Sequence, residues 1–404
     1  MDTAEQVAHD WPHLPERDLG DVVLLPGFVD AHCHLEWSLV RGLGGQGAFA
    51  DWLASLLALG PRMGIEDHRA AAAVGALNCM RLGTTTVADS GPTGAAADAL
   101  RDTGLRGIVH LEAFGRHTGA AARTAASEIA ERVRALDGGG DRVRIGVSPH
   151  APYTVGPAFW DALLEHEDLA DRSWATHLAE SRDETMLLAT GDGPLAALFA
   201  ARGTAPGVWS GEGSPVSRLA QAGVLRPGLI AAHCVQLDPD DPERLADAGI
   251  GVAHCPVSNA TLGCGHAPIA RLRSAGVALG LGTDSPASAG AYDVRADARV
   301  AGDVASLAPA EIVELATLGG AKVLGLADRI GSIEVGKAAD LIAISGLPDA
   351  SDPYVTAVDA AARVAWVMVD GTVLIDGGTP VALDDVAVAA RGAESLERVM
   401  GRAG

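Results

Sequence analysis

Eight times between residues 22 and 285 a short apolar run is followed by an Ala-rich or amphipathic stretch with helical spacing, and this alternation constrains the fold more than any other feature. The first run ends at His34. The others read TTTVADS (84–90), RGIVHLEAF (106–114), RVRIGVSPH (142–150), SWATHLAE (173–180), GLIAAHCV (228–235), GIGVAHCPVSN (249–259) and GVALGLGTDS (276–285). Their length and near-continuous apolarity suit strands buried on both faces, as a parallel sheet requires. The intervening EDHRAAAAVGALNCMRLG, TAASEIAERVRALDG, PERLADAG and APIARLRSAG have helical periodicity and close on glycine, a common helix terminator. Eight such units predict an α/β fold, a (β/α)8 TIM barrel over residues 26–328. The short β-runs after it predict a small β-sandwich-like domain formed by the chain ends, from residues 1–25 and from 329–404, with a terminal helix at DDVAVAARGAESLERVM.

In a barrel of this kind chemistry sits at the C-terminal ends of the strands, so the residues that close each run carry the information. His32 and His34 close the first, His150 the fourth, His177 and Glu180 the fifth, His233 the sixth, His254 the seventh and Asp284 the eighth. Packing alone favours apolar or small residues there, and a single buried histidine is ordinarily a hydrogen-bonded core residue. Polar closures on six strands point to a site instead. His32 and His34 stand two residues apart on a strand, so both imidazoles face the same side. With His177 and Asp284 they make three imidazoles and a carboxylate, a set suited to one divalent metal ion, zinc first and ferrous iron second. Such an ion brings the pKa of a bound water toward about 7. Glu180, three residues past His177, is then free to carry a proton; the competing reading makes it the cap of a helix starting at Ser181. The chain has only Lys322 and Lys337, so no mid-barrel strand offers the carbamylated lysine that bridges two ions, and one ion is expected.

Composition removes other classes. A net charge of −22 without a basic run argues against nucleic acid as a partner. No apolar stretch nears the about 20 residues that span a bilayer, and the start MDTAEQVAHDWPHLPERD has neither a basic leader nor an apolar core. A small-molecule substrate and a cytoplasmic location are expected. The cysteines Cys33, Cys79, Cys234, Cys255 and Cys264 form no C-x-x-C pair and read as buried thiols. A Gly-, Pro- and Ser-rich stretch near 196–216 reads as a loop inserted over the barrel mouth.

The segments PGFVDAHCH, GTTTVADS, SPHAPYTV, HLAES, AAHCVQL, HCPVSNATLGCG, LGTDSPAS and ATLGGAKVLGLADRIGSIEVGKAADLIAI together resemble the amidohydrolase superfamily, in its branch of mononuclear-metal deaminases, over nearly all of residues 22–345. SPHAPY with HLAES is similar to the enzymes acting on adenosyl compounds such as S-adenosylhomocysteine. Leu35-Glu36-Trp37-Ser38 with LGCGHAP is closer to the aminodeoxyfutalosine deaminases of a route to menaquinone. The resemblance implies metal binding by His32, His34, His177 and Asp284, proton transfer by Glu180, and acceptance of the water proton by Asp284. It also implies that His233 orients the hydroxide and the tetrahedral intermediate. His150 would lie near a ribose or distal substituent, and Glu36, Trp37, Trp52 and Arg116 are further candidate substrate contacts. A homo-oligomer, at its simplest a dimer, is implied as well. Val257 follows the Cys-Pro of the seventh run, where those relatives often carry arginine, which removes one guanidinium from the substrate side. They also place more β-domain residues ahead of the histidine pair, so the small domain is expected to be incomplete on that side or the start to be late.

The expected activity is hydrolytic deamination of an amino-substituted N-heterocycle, an adenine-type nucleoside such as aminodeoxyfutalosine or a 5′-substituted adenosine. The alternatives are chlorohydrolase or cyclic-amide chemistry at the same centre, or a barrel that binds a nucleoside without turning it over. The other zinc-deaminase pattern, H-x-E followed by P-C-x-x-C, is absent.

Overall fold

The structure, a computed structural model, describes residues 4–42, 47–345 and 352–401; residues 1–3, 346–351 and 402–404, parts of the two expected end segments, lie outside the described residues. After a helix at Ala4–Asp10 and a short strand β1 (Val23–Pro26), each of the eight apolar runs contains a strand. These are β2 (Phe28–Cys33), β3 (Thr84–Gly91), β4 (Arg106–Ala113), β5 (Val143–Pro149), β6 (Trp174–Leu178), β7 (Leu229–His233), β8 (Gly251–His254) and β9 (Ala278–Leu281). They pair in sequence order, all parallel, in one sheet. Every residue of β2, β3, β4, β6, β7 and β8 is buried, which is why those runs lack the polar alternation of a half-exposed strand.

The ring is nearly closed. Between β9 and β2 the join is confined to the site end, where Cys33 and Asp284 form a bridge and Thr283 donates from its N–H and hydroxyl to the Asp30 carboxylate at 3.0 and 2.5 Å. The remainder of the seam is covered by the turn Leu315–Gly319 and the short helix Gly320–Val323. That cover needs glycine. A Cβ on Gly280 of β9 would meet Gly320 Cα at 2.6 Å, and one on Gly320 would meet Val29 Cβ of β2 at 2.8 Å.

The chain ends build a single antiparallel sheet in the order β1, β10 (Leu341–Ser345), β11 (Arg363–Val369), β12 (Thr372–Asp376) and β13 (Thr379–Pro380). Buried Arg106, the first residue of β4, holds it to the barrel with a two-pronged ion pair to Asp340 at 2.7 and 3.0 Å. Since Arg106 starts its strand, the small sheet lies at the end of the barrel away from the site. The helix Asp385–Gly401 docks on helix Ile65–Arg81, where Ser395 Oγ donates to Asp67 Oδ1 at 2.6 Å.

The segment read as an inserted loop is partly helical, with Pro194–Ala201 and Pro215–Gln221 enclosing the turn region between them. Trp209 is buried in that region and its Nε1–H donates to the carbonyls of Pro152 and Val155 at 2.8 and 3.1 Å, so the segment is pinned to the loop after β5. Among the described residues no helix is long and apolar enough to cross a membrane.

Candidate metal centre and active site

The ring nitrogens of His32, His34 and His177 converge to within 4.8 Å of one another at the C-terminal ends of β2 and β6. Backbone carbonyls set their tautomers. His34 Nδ1 donates to Ser90 O at 2.6 Å, at the end of β3, and His177 Nδ1 donates to His150 O at 2.7 Å. In each neutral ring Nε2 is therefore a bare lone pair, and the two Nε2 atoms face each other across 3.1 Å. Two lone pairs at that distance repel unless a cation joins them. His32 Nε2 is also buried without a partner. Burial and the neighbouring imidazoles push the pKa values of His32 and His177 well down, which keeps these rings in the neutral form that ligates metal.

Asp284 completes the cluster. Its Oδ2 accepts from Ser258 Oγ at 2.5 Å and Ser288 Oγ at 2.9 Å, which leaves Oδ1 directed to the centre, 3.4 Å from His34 Nε2. Three imidazoles and one carboxylate oxygen could hold a divalent ion with a position to spare, and such an ion would relieve the facing lone pairs. Asp284 has a left-handed backbone at φ 58°, as do Ala179, His233 and Cys234 at φ 53°, 73° and 49°. Four non-glycine residues in that region at three strand ends are backbone strain held at the site.

Glu180 is buried beside this cluster, with Oε1 3.7 Å from His233 Nε2, and its carboxylate, the His233 ring and Asp284 lie within 4.8 Å of one another. It does not cap the following helix. Ser181 does, accepting from the N–H of Glu184, whose carboxylate accepts in turn from the N–H groups of Ala179 and Glu180 at 3.2 and 2.8 Å. The Glu180 side chain is thus left for the cavity. Burial, and then Asp284 and Glu184, raise its pKa well above the carboxylate range, favouring a form that holds a proton ready to give.

The centre opens into a cavity of about 830 Å³ whose floor includes His34, His177, Glu180, His233 and Asp284. Trp37, Trp52, Leu53, Leu56, Leu57 and Phe199 form an apolar flank, and the Arg116 and Arg202 side chains stand at the exposed rim. A nucleoside with a sizeable substituent fits such a volume.

A family model described as Amidohydrolase family matches residues 23–374. The chain belongs to that family. It is 34% identical over 389 residues to a 5-methylthioadenosine/S-adenosylhomocysteine deaminase of Symbiobacterium thermophilum, covering 91% of this chain and 83% of the relative. To the protein of that name from Haloarcula marismortui it is 31% identical over 431 residues, covering 100% and 94%. Among solved structures it is similar to an adenosine deaminase from Xanthomonas campestris with bound zinc, at a TM-score of 0.80 and 28% identity over 94% of this chain and 87% of that one. The fold is shared with a zinc-complexed atrazine chlorohydrolase from Arthrobacter aurescens, at a TM-score of 0.79 and 22% identity over 95% and 92%.

In this amidohydrolase Trp37, Trp52, Arg116 and His150 all line the cavity, but Glu36 does not. Glu36 is fully buried behind it, where its carboxylate accepts from the N–H groups of Thr93, Gly94 and Ala95 and from Thr93 Oγ1, at 2.7–3.2 Å. It also stands 3.3 Å from His68 Nδ1, and His68 lines the cavity. Glu36 as a substrate contact is therefore corrected to a group that fixes the turn after β3 and backs His68. His254 lies in the barrel interior with both ring nitrogens unpartnered. The structure adds residues that the polar closures did not mark. Asp89 Oδ1 accepts from Leu35 N at 2.7 Å and sets the turn after His34. Asn259 Oδ1 accepts from His233 Nδ1 at 2.9 Å. Glu112 lines the cavity from β4, and a carboxylate near the end of an apolar run was the signal for it.

Proposed function

We propose that this amidohydrolase removes the exocyclic amino group of an adenine-type nucleoside by hydrolysis, at a single divalent metal ion held by His32, His34, His177 and Asp284. Zinc fits that donor set best and ferrous iron next. The observation that carries the reading is Glu180, a buried carboxylate with no structural task of its own, beside the metal cluster and facing an open cavity. A module that only bound metal or nucleoside would gain nothing from it, and burying a carboxyl group carries a desolvation cost. The relatives named as 5-methylthioadenosine/S-adenosylhomocysteine deaminases support the substrate class.

The ion, when bound, supplies Lewis-acid activation of the attacking water. Asp284 Oδ1 is placed to take the proton that this water loses. The water oxygen bonds to the ring carbon that bears the amino group. Glu180 gives its proton to the adjacent ring nitrogen; as the C–N bond breaks, the proton held by Asp284 goes to the departing nitrogen and the one left on the attacking oxygen returns to Glu180, so water is consumed and ammonia leaves with an oxo-purine as product. His233, fixed by Asn259, orients the groups at the reacting carbon. The apolar flank and the Arg116 and Arg202 rim favour a nucleoside whose 5′ substituent has an apolar stem and an anionic end, as in aminodeoxyfutalosine.

Ammonia release from the metal-loaded protein with adenosine, 5′-methylthioadenosine, S-adenosylhomocysteine and aminodeoxyfutalosine tests this. Turnover of at least one is expected, with aminodeoxyfutalosine first in kcat/KM. No ammonia from any of them would overturn the reading.

A further inference from the structure

Glu112 is a buried acid without an assigned task. It is 5% exposed, lies at the inner part of the cavity, and among the described residues its carboxylate has no hydrogen-bond or ion-pair partner. One of its oxygens lies within 4.8 Å of ring nitrogens of both His150 and His177. His150 is itself fixed, with Nδ1 2.9 Å from Thr154 Oγ1. A carboxyl group is kept in such a place at a cost unless a ligand completes it.

The chain shows which part of a ligand that is. β4 ends at Ala113, and two residues on Gly115, which bridges to Val155, turns the chain with φ 134°. Glu112, Phe114 and Arg116 all line the cavity, and exposure rises along them from 5% at Glu112 to 47% at Phe114. Going outward they present a carboxyl group, an aromatic ring tilted against that of His150 with centroids 4.7 Å apart, and a guanidinium at the rim. The reacting ring sits over the metal cluster and Glu180, and the rim is left to the 5′ substituent. The group between them is the sugar. A carboxyl oxygen accepts a hydrogen bond whether or not the group is ionised, and ribose hydroxyls are donors.

A second metal ion on Glu112, His150 and His177 does not fit as well. His177 Nδ1 is held by His150 O, and its Nε2 already faces His34 Nε2 in the first cluster. That would leave two ligands.

We infer that Glu112 is a specificity residue that accepts a hydrogen bond from a ribose hydroxyl of the nucleoside, so that this site demands a ribonucleoside over its deoxy counterpart. The inference rests on the deaminase reading above.

The test is kcat/KM of the metal-loaded full chain for adenosine, 2′-deoxyadenosine and 3′-deoxyadenosine, in wild type, Glu112→Ala and Glu112→Gln, with metal content and melting temperature as controls. Wild type is expected to disfavour at least one deoxy substrate by about 10- to 100-fold, the range for a lost hydrogen bond to a buried acid. In Glu112→Ala that ratio collapses toward 1 because adenosine loses its advantage; Glu112→Gln, which keeps an acceptor oxygen, retains part of it. An unchanged ratio in either folded variant, with adenosine still deaminated, overturns the role of Glu112 and leaves the deaminase reading standing. Two metal equivalents in wild type and one in Glu112→Ala would make Glu112 a ligand and overturn it too. No turnover of any adenine nucleoside by wild type removes both readings together.

Discussion

His233 Nδ1 stands 2.9 Å from Asn259 Oδ1, which turns its Nε2 toward Glu180 Oε1, 3.7 Å away. An amide oxygen only accepts, so Nδ1 carries the hydrogen and the reacting-side nitrogen is fixed as Nε2. Asn259 comes from the helix Pro256–Thr261 that follows β8, so two strand ends cooperate in placing one ring. Asn259→Ala is expected to lower kcat by about 10- to 100-fold while metal content stays at the wild-type value, as for other groups that orient a reacting side chain. Steady-state kinetics with elemental analysis on the same sample checks it, and full kcat in the variant would remove the role given to the pair.

Glu180→Gln keeps the size and burial of the side chain and removes the proton. Proton transfer by a placed acid is worth about 10²- to 10⁴-fold, and a loss of that size in kcat is expected with the metal retained. A non-catalytic binding barrel would show no such loss in any measurable turnover and no change in nucleoside affinity, so titration of the variant with 5′-methylthioadenosine separates the two cases.

The rim guanidinium of Arg116 has no hydrogen-bond or ion-pair partner among the described residues. Arg116→Met keeps the stem and removes the charge. The preference of the enzyme for a carboxylate-tailed nucleoside over 5′-methylthioadenosine should drop by about two- to fivefold, the worth of one exposed charge-assisted contact. An identical preference in the variant means that the tail does not reach this rim.

His254 gives the fold an acid sensitivity that can be measured. It is fully buried, and burial holds its pKa down at about 3, against about 6.5 for a free imidazole. The unfolded chain therefore takes up this proton first as pH falls. The stability from the neutral ring is intact above about 6.5 and is lost progressively toward pH 3, by roughly 2 kcal/mol at pH 5 for this one group. In urea titrations at pH 7 and pH 5, His254→Leu should lose less stability on acidification than wild type by about that amount. Equal losses would show that another group sets the acid limb.

The barrel was legible because parallel strands buried on both faces leave unbroken apolar runs, and all eight contain strands where those runs lie. The metal cluster was legible for a second reason, since residues at the C-terminal ends of barrel strands all point to one mouth. That logic stops where a strand stops. After His34 the chain enters a tight helical turn over Leu35–Val40, so period-two reasoning no longer says which way Glu36 and Trp37 face, and only Trp37 lines the cavity. Glu112 escaped because its run extends to Phe114, placing the acid inside an apparently apolar strand. Asn259 and Ser258, which hold His233 and Asp284, act from 26 residues away and leave no local pattern. The Pro194–Ala201 helix was masked by the Gly- and Pro-rich residues that follow it.

One cation held by His32, His34, His177 and Asp284 is tested most directly by the metal content of the protein. Elemental analysis of purified wild type and of a His32→Ala/His34→Ala double variant, each after exchange into metal-free buffer and reloading with zinc, should give one equivalent per chain in the first and none in the second. No bound metal in folded wild type, or a full equivalent retained by the double variant, would contradict it.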